Sequence, residues 1–462
     1  MRRTRARTET PCPARWLLMG SLPFLVAGCG LDGSPHLPGP VQWEEPVEVA
    51  VGEAYQGPWR MNESDFRYVD APTVALDETG RVGVAWVDQA DKNVYFQLFE
   101  SSGEALDRDP VNVSRSPDTF SWLPRLVMTA DDDDEVVVLW QKIVFSGGSH
   151  GGETFVSRSG DGGRTFSEPT NLSRTPAGAG KGRLSANRWD NGSHDLIRGP
   201  DGTIYVAWTE YEGALRLSRS TDGGRTFSDP LHVAGSDGEP ARGPALAVDH
   251  RERVHLAWTV GEDPTADLRF ATSLDGGASF GEPRTLFRTG GHSDAPALAA
   301  DPAGTLHLAF GESEDGPFGP SHVRYARSHD GGESFEEARA VSRASDDEAP
   351  GGGFPSLALD ADGNPLLTWH VFPEPGSRPV GMAFTVGREG GDRFEPPTLV
   401  PGTADPEAGF NGSLQGLLMR TIAATPGEAR GEVEGGTIAL VHGSFRPDRE
   451  SRIRLWLGEL RR

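Results

Sequence analysis

Apolar residues alternate with polar ones in short runs that recur along most of the chain. A run of the type Pro72-Thr-Val-Ala-Leu-Asp77 leads to a second, Val82-Gly-Val-Ala-Trp86, and a similar pair returns from Pro244, Pro296 and Pro355. Runs of this length, bounded by Asp and Gly, predict antiparallel hairpins. A third alternating run follows each hairpin, and then a fourth that starts near a proline, which favours an edge strand. The pattern therefore predicts a repeated unit of four antiparallel strands.

A short turn sequence separates the third and fourth runs of the best repeats. It reads Ser-x-Asp-Gly-Gly and ends in Phe, at residues 159–166, 220–227, 273–280 and 328–335. Its aspartates are spaced 61, 53 and 55 residues apart, which indicates a repeat architecture. Glycines adopt the positive φ values of tight turns, and an Asp side chain accepts hydrogen bonds within its own turn. We call these segments the Asp-Gly-Gly turns and expect them to be structural.

Counting the four-stranded units predicts an all-β fold, a β-propeller of seven blades. Inner hairpins begin near Ala71, Pro124, Asp195, Pro244, Pro296, Pro355 and Leu417. The seventh unit lacks its outer strand, and the segment 43–49 near the N-terminus has the pattern of the missing one. We expect this N-terminal strand to complete the last blade and close the ring, which removes exposed sheet edges. Six blades is the alternative, if the weak last repeat packs differently.

The turn sequence resembles the Asp-box, also called the bacterial neuraminidase repeat, of sialidase-like β-propellers. The repeat pattern covers roughly residues 41–460, and it recurs in sialidases, in other glycoside hydrolases and in non-enzymatic propellers. The resemblance implies that the Asp-box aspartates are structural and lie on outer turns, away from the central pocket. These residues are Asp161, Asp222, Asp275 and Asp330.

The N-terminus has the features of an exported protein. Arginines up to Arg15 are followed by a short apolar stretch, residues 16–28, which is too short to span a membrane as a helix. Val26-Ala-Gly-Cys29 resembles a bacterial lipoprotein box, which implies a signal peptide over residues 1–28 and a lipid on Cys29; an ordinary cysteine near an ordinary cleavage site is the alternative. Residues 29–40 then form a lipidated flexible tether ahead of the propeller at residues 41–462. Gly30 favours the outer membrane by the family rule.

Charge and motif content narrow the partners. The formal net charge of −24 argues against nucleic acid, and against an anionic membrane as a partner other than through the lipid anchor. No His/Cys metal pattern, phosphate-binding glycine loop or serine nucleophile elbow occurs, so we expect no metal and no cofactor. We expect a monomer whose partner is a glycan or a protein.

Candidate ligand-binding residues lie where the predicted loops enter an inner strand or leave a second strand. Arginine forks bind carboxylates in pairs, and aromatic faces stack on sugar rings. The candidates are Arg60, Trp122, Arg125, Arg188, Trp189, Asp190, Arg242, Asp294, Glu312 and His370.

The resemblance to sialidases implies three arginines for a substrate carboxylate and a tyrosine nucleophile with a glutamate partner. Glu210 with Tyr211 is the one local candidate for that catalytic pair, but no tyrosine follows Tyr325, where the family places its nucleophile. The Phe/Tyr-Arg-Ile-Pro motif of the family is also missing. The sequence therefore favours a surface-anchored propeller that binds a glycan or protein ligand at its channel mouth without catalysis; an exo-sialidase-like hydrolase is the alternative.

Overall fold

A computed structural model describes residues 39–461 with gaps. Outside the description are residues 1–38, 61, 108, 117–118, 131–133, 143–151, 175–181, 186–187, 191–193, 211–212, 237–238, 261–265, 315, 317–320, 343–350, 375–376, 405–409, 412–419, 426–435, 448 and 462; for 182–185, 188–190 and 410–411 only the backbone is described. Strands form all the regular structure of the described residues. Within this part of the chain, no helix has the length and apolar character needed to cross a membrane.

Among the described residues, most strands form seven antiparallel sheets, numbered as blades 1 to 7 in chain order, and two short hairpins form separate two-stranded sheets. Ahead of blade 1 lie β1 (Val41–Trp43), β2 (Val47–Glu53), β3 (Tyr55–Gln56) and β4 (Phe66–Arg67). Blade 1 contains β5 (Val69–Leu76), β6 (Val82–Asp88), β7 (Asn93–Phe99) and β8 (Val111–Asn112). Blade 2 contains β9 (Ser121–Met128), β10 (Val136–Lys142), β11 (Glu153–Ser159) and β12 (Thr170–Asn171). A separate hairpin, β13 (Gly182–Ser185) and β14 (Arg188–Asp190), precedes blade 3, which contains β15 (His194–Arg198), β16 (Ile204–Thr209), β17 (Leu215–Ser220) and β18 (Leu231–Ala234). Blade 4 contains β19 (Arg242–Val248), β20 (Val254–Thr259), β21 (Leu268–Ser273) and β22 (Arg284–Thr285). Blade 5 contains β23 (His292–Ala300), β24 (Leu306–Ser313), β25 (Ser321–Ser328) and β26 (Arg339–Ala340). Blade 6 contains β27 (Gly351–Leu359), β28 (Pro365–Phe372), β29 (Gly381–Arg388), β30 (Arg393–Phe394) and β31 (Thr398–Leu399). Blade 7 contains β32 (Phe410–Asn411), β33 (Ile422–Ala424), β34 (Thr437–Arg446) and β35 (Glu450–Leu460).

The innermost strands pack side by side into a closed ring. Strands β5, β9, β15, β19, β23, β27 and β33 contact one another in this order, and β33 also contacts β5. Hydrogen bonds join the segment just before β33 to both neighbouring inner strands and so close the ring. The Val74 amide of β5 donates to the Arg420 carbonyl at 3.3 Å, and the Thr421 amide donates to Ser356 Oγ of β27 at 3.1 Å. The core lies between the sheets, where buried aromatic side chains such as Trp140, Trp208 and Phe310 fill the space. The predicted propeller of seven blades is confirmed, and six blades are excluded.

The N-terminal strands complete blade 7, as the sequence pattern predicted. Both β1 and β2 pair antiparallel with β35, with Val41 opposite Leu460 and Val47 opposite Leu455. Ser451 on β35 ties this pairing to blade 1: its hydroxyl donates to the Glu53 carbonyl at 2.6 Å and accepts the Val69 amide at 2.9 Å. The two ends of the chain are thus joined in one sheet, and β35 has a partner on each side.

A proline bulge recurs in five of the inner strands. The residue before the proline has a positive φ, and the pairing with the second strand shifts register there. A bulge places one extra residue in the strand and re-aims the side chains on either side of it. It therefore decides which inner-strand side chains face the channel. The residues with positive φ are Ala71, Leu123, Gly243, Ala295 and Phe354.

The Asp-Gly-Gly turns are held by their own polar side chains. In the first turn, Asp161 accepts the Thr165 amide at 2.9 Å on one oxygen and the Thr165 hydroxyl at 2.6 Å on the other. The matching hydroxyl of Thr226, with the Thr226 amide, lowers the pKa of Asp222 to about 2. Each carboxylate is therefore committed to its turn. Asp275 and Asp330 bind their turn residues in the same way.

The same turns also join neighbouring blades, a role that their local sequence does not indicate. Arg158 of blade 2 donates to the Gly223 carbonyl in the turn of blade 3 at 2.6 Å. Arg219 of blade 3 likewise donates to the Gly276 carbonyl in the turn of blade 4. The second glycine of each turn lies against the preceding blade, so that a Cβ on Gly163 would lie 2.1 Å from the Phe96 ring. The turns thus act as contact points around the ring.

We expect Gly163→Ala to lower the free energy of unfolding more than Gly402→Ala does. Both glycines have a positive φ, so both substitutions carry a backbone cost of about 1–2 kcal/mol. Only Gly163 has a neighbouring blade in the way, whereas nothing lies within 4 Å of the Cβ position at Gly402. Overpacking adds about 1–3 kcal/mol for Gly163→Ala. Guanidinium denaturation of both variants measures the difference, and equal losses would contradict the contact between blades.

Candidate functional site

One end of the ring, which we call the mouth, is where inner strands begin and second strands end. The pairing shows this directly, since Val69 lies opposite Asp88 and Arg242 lies opposite Thr259. The Asp-Gly-Gly turns begin where the third strands end, opposite the starts of the second strands: Ser159 pairs with Val136. The turns therefore lie at the other end of the ring.

An aromatic platform lies at the mouth beside blades 1 and 2. Trp59, in the segment between β3 and β4, packs against Phe66, Phe120 and Trp122, with ring centroids 6.0, 6.2 and 5.7 Å away. The Trp122 ring is buried, but Trp59 is 50% exposed. Large apolar side chains with this exposure are uncommon on the described surface, and a supported, half-open indole offers a flat face to a ligand. We call Trp59, Phe66, Phe120 and Trp122 the Trp59 platform.

Cationic groups accompany the Trp59 platform. The Lys92 ammonium lies 5.1 Å from the centre of the Phe120 ring and donates to the Asn62 carbonyl at 2.7 Å. The Asn62 side chain in turn accepts the Phe120 amide at 3.1 Å. Arg60 follows Trp59, has an exposed side chain, and donates its backbone amide to Ser64 Oγ at 2.6 Å. The platform therefore combines an aromatic face with positive charge.

The central channel contains a second polar group of residues. Arg420 donates to Asp195 at 2.8 Å, and Nε of Arg125 lies 3.9 Å from the same carboxylate oxygen. These residues line a cavity of about 60 Å³ together with Ser356 and the prolines and alanines of the neighbouring inner strands. Burial lowers the pKa of Arg125 to about 10; Arg420 acts in the same direction and Asp195 opposes them.

Glu210 is committed to a neighbour on its own hairpin. Both of its carboxylate oxygens accept from Arg216, at 3.0 and 3.2 Å. Its carbonyl accepts from Nη1 of Arg242 at 3.3 Å, which places Arg242 against blade 3. Tyr211, the predicted partner of Glu210, lies outside the described residues. Of the predicted catalytic pair, only Glu210 is described, and it forms an ion pair with Arg216 on the same hairpin.

Asp294 and Glu312, both predicted near the mouth, have different surroundings. Asp294 is half-exposed, with one oxygen accepting the Ala295 amide at 2.6 Å and the other 3.9 Å from His292. Glu312 is buried, forms an ion pair with Arg324, and lines a cleft between blades 4 and 5. The structure thus separates Glu312 from the residues of the channel.

Three histidines are buried near the mouth. Burial lowers the pKa of His370 to about 4, and burial together with the nearby His370 and Arg454 lowers the pKa of His442 to about 3. The two rings lie 6.4 Å apart across blades 6 and 7. His194 Nε2 donates to the Leu123 carbonyl at 2.6 Å, and burial, with the charge of Arg125, lowers the pKa of His194 to about 3. These histidines are neutral at pH 7.

Several predicted residues lie beyond the description. Arg188, Trp189 and Asp190 form β14, whose backbone alone is described, and Cys29 lies outside the described residues. Among the residues that are described, no group of three or more His, Cys, Asp or Glu side chains is arranged to hold a metal ion.

Sequence reasoning missed Lys92, Asp195 and Arg420 as site residues. A register signal was available for Asp195. It occupies the same position of its inner strand as Thr73, Arg125 and Ala245, each paired with the residue before a buried tryptophan of the second strand. A charged residue at that position faces the channel. Nothing in the local sequence indicated Arg420 or Lys92.

Comparisons with known proteins support the fold. No family model matches the sequence, and no curated protein does. Among solved structures, the chain is similar to an ulvan lyase of polysaccharide lyase family PL25 bound to -[GlcA(1-4)Rha3S]-, with a TM-score of 0.56, 13% identity, and coverage of 88% of this chain and 95% of the other. It is similar to the polysaccharide lyase Uly1 at a TM-score of 0.53 and 10% identity, covering 90% and 99%. An intramolecular trans-sialidase from Ruminococcus gnavus gives a TM-score of 0.45 and 11% identity, covering 66% and 90%. At such identities, the similarity to the two lyases shows a shared fold alone.

Proposed function

We propose that this protein is a carbohydrate-binding propeller that holds an anionic glycan on the Trp59 platform without cleaving it. The observation that carries the proposal is the half-exposed Trp59 indole, supported by three aromatic rings at the channel mouth. Pyranose rings present C–H faces that stack on such an indole, which offers large contact area at low conformational cost.

The charge around the platform favours an acidic sugar. Lys92 and Arg60 lie beside Trp59 in a chain whose formal net charge is −24. Positive charge placed locally on an acidic protein selects a ligand with a carboxylate or sulfate at that point. The two polysaccharide lyases of similar fold support carbohydrate as the ligand class, and one of them is bound to a glycan that contains glucuronic acid and a sulfated rhamnose.

An exo-sialidase-like hydrolase is the alternative, and the described residues favour it less. That chemistry needs arginines converging on an open position for a substrate carboxylate. Arg125 and Arg420 converge instead on Asp195, and Arg242 contacts the Glu210 carbonyl. Glu210 is held by two nitrogens of Arg216, Nε and Nη2, so it is poorly placed to activate a neighbouring tyrosine.

We also propose that the protein acts at the cell envelope. The lipoprotein-like sequence ending at Cys29 supports anchoring of the propeller to the cell envelope, at the outer membrane, with residues 29–40 as the tether. Metabolic labelling with a palmitate analogue tests this: the wild-type chain should be labelled and Cys29→Ser should not. Labelling that persists in Cys29→Ser would contradict the anchor.

We expect Trp59→Ala to weaken glycan binding about tenfold or more, because an exposed aromatic anchor contributes on the order of 2 kcal/mol to an interface. Calorimetry of the form starting at Gly39 measures this with a panel of polyglucuronate, ulvan oligosaccharides, chondroitin sulfate, sialyllactose and neutral dextran. Leu274→Ala is the matched control, since Leu274 is 80% exposed and lies at the start of an Asp-Gly-Gly turn at the other end of the ring.

Two outcomes would contradict the proposal. Equal affinity of the wild type and Trp59→Ala for every bound glycan would remove the platform from the site. Release of sugar, or of an unsaturated product that absorbs in the ultraviolet, during incubation with the same panel would show that the protein is an enzyme. Lys92→Met tests the contribution of the positive charge, and we expect it to weaken the binding of sulfated and uronic glycans but not of a neutral glycan.

A further inference from the structure

Lysine is rare in this chain, and both lysines of the described residues lie at the mouth. The sequence contains three lysines, of which Lys181 lies outside the described residues. Lys92 lies in the hairpin between β6 and β7 of blade 1, and its ammonium contacts the Phe120 ring of the Trp59 platform. Lys142 is the last residue of β10, the second strand of blade 2. Since second strands end at the mouth, the two ammonium groups belong to neighbouring blades at the same end of the ring.

Lys142 is joined to the Trp59 platform through β9. Ser121 stands between two aromatic residues of the platform, and its amide donates to the Lys92 carbonyl at 3.1 Å. Ser121 also pairs directly with Lys142 across the sheet. Side chains opposite each other in an antiparallel pair lie on the same face, with Cβ atoms about 4.5–5.5 Å apart. The Lys142 ammonium lies 5.4 Å from the centre of the Phe155 ring, which packs against the core cluster that contains three of the platform rings. Lys142 therefore borders the platform on its blade 2 side.

The Lys142 ammonium has no anion beside it in the described part of the protein. It forms no ion pair and no hydrogen bond there, and only the Phe155 ring contacts it. Its two neighbours across the sheet do not bind it, because Ser121 Oγ has no hydrogen-bond partner among the described residues and Glu153 accepts from Ser173 Oγ. Lys142 is only partly exposed, and burial lowers the pKa of its ammonium. Withdrawing an ammonium from water costs free energy, which an anionic group of a ligand offsets.

We infer that Lys142 is the second cation of the glycan site and that the bound glycan carries two anionic groups, one at Lys92 and one at Lys142. The inference rests on the proposed function and names its ligand more closely, as a repeating uronate or sulfated chain that crosses from blade 1 to blade 2. A lysine ammonium is a mobile point charge without the fixed fork of arginine, so the two lysines select the number and spacing of anionic groups rather than their orientation. Once the first group is bound, the second binds in an intramolecular step. A glycan with one acidic sugar gains only the first contact.

Calorimetry of the form starting at Gly39 tests the inference with tetraglucuronate and with a tetrasaccharide of one glucuronate and three neutral glucose residues. Lys142→Met keeps the apolar stem and removes the charge, so it should weaken the binding of tetraglucuronate about fivefold, as expected for one lost charge contact. The singly charged tetrasaccharide should bind Lys142→Met as it binds the wild type, because its one charge lies at Lys92. Lys142→Arg keeps the positive charge and should retain the affinity for tetraglucuronate. Equal losses for both ligands in Lys142→Met, or no loss for tetraglucuronate, would overturn the inference.

Isotope labelling of the lysines gives a second readout, which needs no substitution in the protein that binds. Reductive methylation with ¹³C-formaldehyde keeps the positive charge and gives the three lysines resolved NMR signals. The signal that is missing from Lys142→Arg belongs to Lys142. Tetraglucuronate should shift the signals of both Lys92 and Lys142, whereas the singly charged tetrasaccharide should shift that of Lys92 alone. A Lys142 signal that stays fixed while Lys92 responds to tetraglucuronate would overturn the inference and leave the proposed function intact.

Linear inorganic polyphosphate separates a failure of this inference from a failure of the proposed function. It is a chain of anionic groups without a sugar ring, so its binding needs the two lysines but not the Trp59 indole. If no glycan of the panel binds, the proposed function is wrong. Saturable shifts of both lysine signals by polyphosphate would then still support a site for two anionic groups, and a Lys142 signal that polyphosphate leaves fixed would overturn this inference as well.

Discussion

A form of the chain that begins at Ala54 is expected to lose several kcal/mol of unfolding free energy and to aggregate. It lacks β1 and β2, which pair with β35 and close the ring. Val41 and Val49 are buried in this sheet, and each contributes about 2 kcal/mol when fully buried. Without its partner, the 11-residue strand β35 becomes an exposed edge that carries Leu455 and Leu457. Denaturation midpoints and light scattering of forms starting at Gly39 and Ala54 measure the effect.

A point substitution isolates the pairing from the loss of chain. A Cβ at Gly458 would lie 2.6 Å from Val41 and 2.8 Å from Trp43. Gly458→Val should therefore disrupt the pairing of β1 with β35 without removing any residue of the chain. Its destabilisation should be smaller than that of the truncation, in the same direction. Equal stability of the forms starting at Gly39 and Ala54 would show that the ring closes without its N-terminal strands.

Acidification from pH 7 to pH 4.5 is expected to remove on the order of 3 kcal/mol of unfolding free energy for each of His194, His370 and His442. Burial lowers their folded pKa values to about 3, 4 and 3, below the value of 6.5 of a free histidine. The unfolded chain therefore takes up protons first, and stability falls as the pH drops below 6.5 until the folded values are reached. Thermal unfolding across this range measures the slope.

Substitution of single histidines shows which residues cause the loss of unfolding free energy at low pH. His370→Gln should flatten the profile between pH 6.5 and 4. The lowered pKa values of Asp222 and Asp330, both about 2 through their Thr226 and Ser334 hydrogen bonds, act in a separate window. Their stabilisation is present above pH 3.8 and is lost only as the pH falls towards 2. A profile that stays flat from pH 7 to 4.5 would contradict the buried, neutral histidines.

Local sequence was sufficient to predict the strands and turns of this fold. Strand alternation and the Asp-Gly-Gly turns predicted four strands per blade, seven blades and the closing N-terminal strand. These features follow from a period of two residues and from turn residues with fixed φ, which are properties of segments a few residues long. The contact of each turn with the preceding blade was not predicted, because it depends on how two sheets lie against each other.

The candidate site depended more heavily on tertiary structure. Sequence reasoning named Arg125 and Trp122, but it could not pair Arg125 with Asp195, nor Asp195 with Arg420, which stands 225 residues further along the chain. It also named Glu312, which lies at the mouth end of its strand, but not that its carboxylate pairs with Arg324 and lines a cleft between blades 4 and 5.

The architecture of this protein follows from its sequence pattern alone, whereas the contacts between distant side chains depend on the tertiary fold. Strand order and blade number are encoded in local periodicity that repeats along the chain. The meeting of Arg420 with Asp195 requires ring closure, which brings together residues from distant blades, and Trp59 meets Trp122 because neighbouring blades pack side by side. The proline bulges add a second reason, because a single extra residue in an inner strand re-aims its side chains relative to the channel.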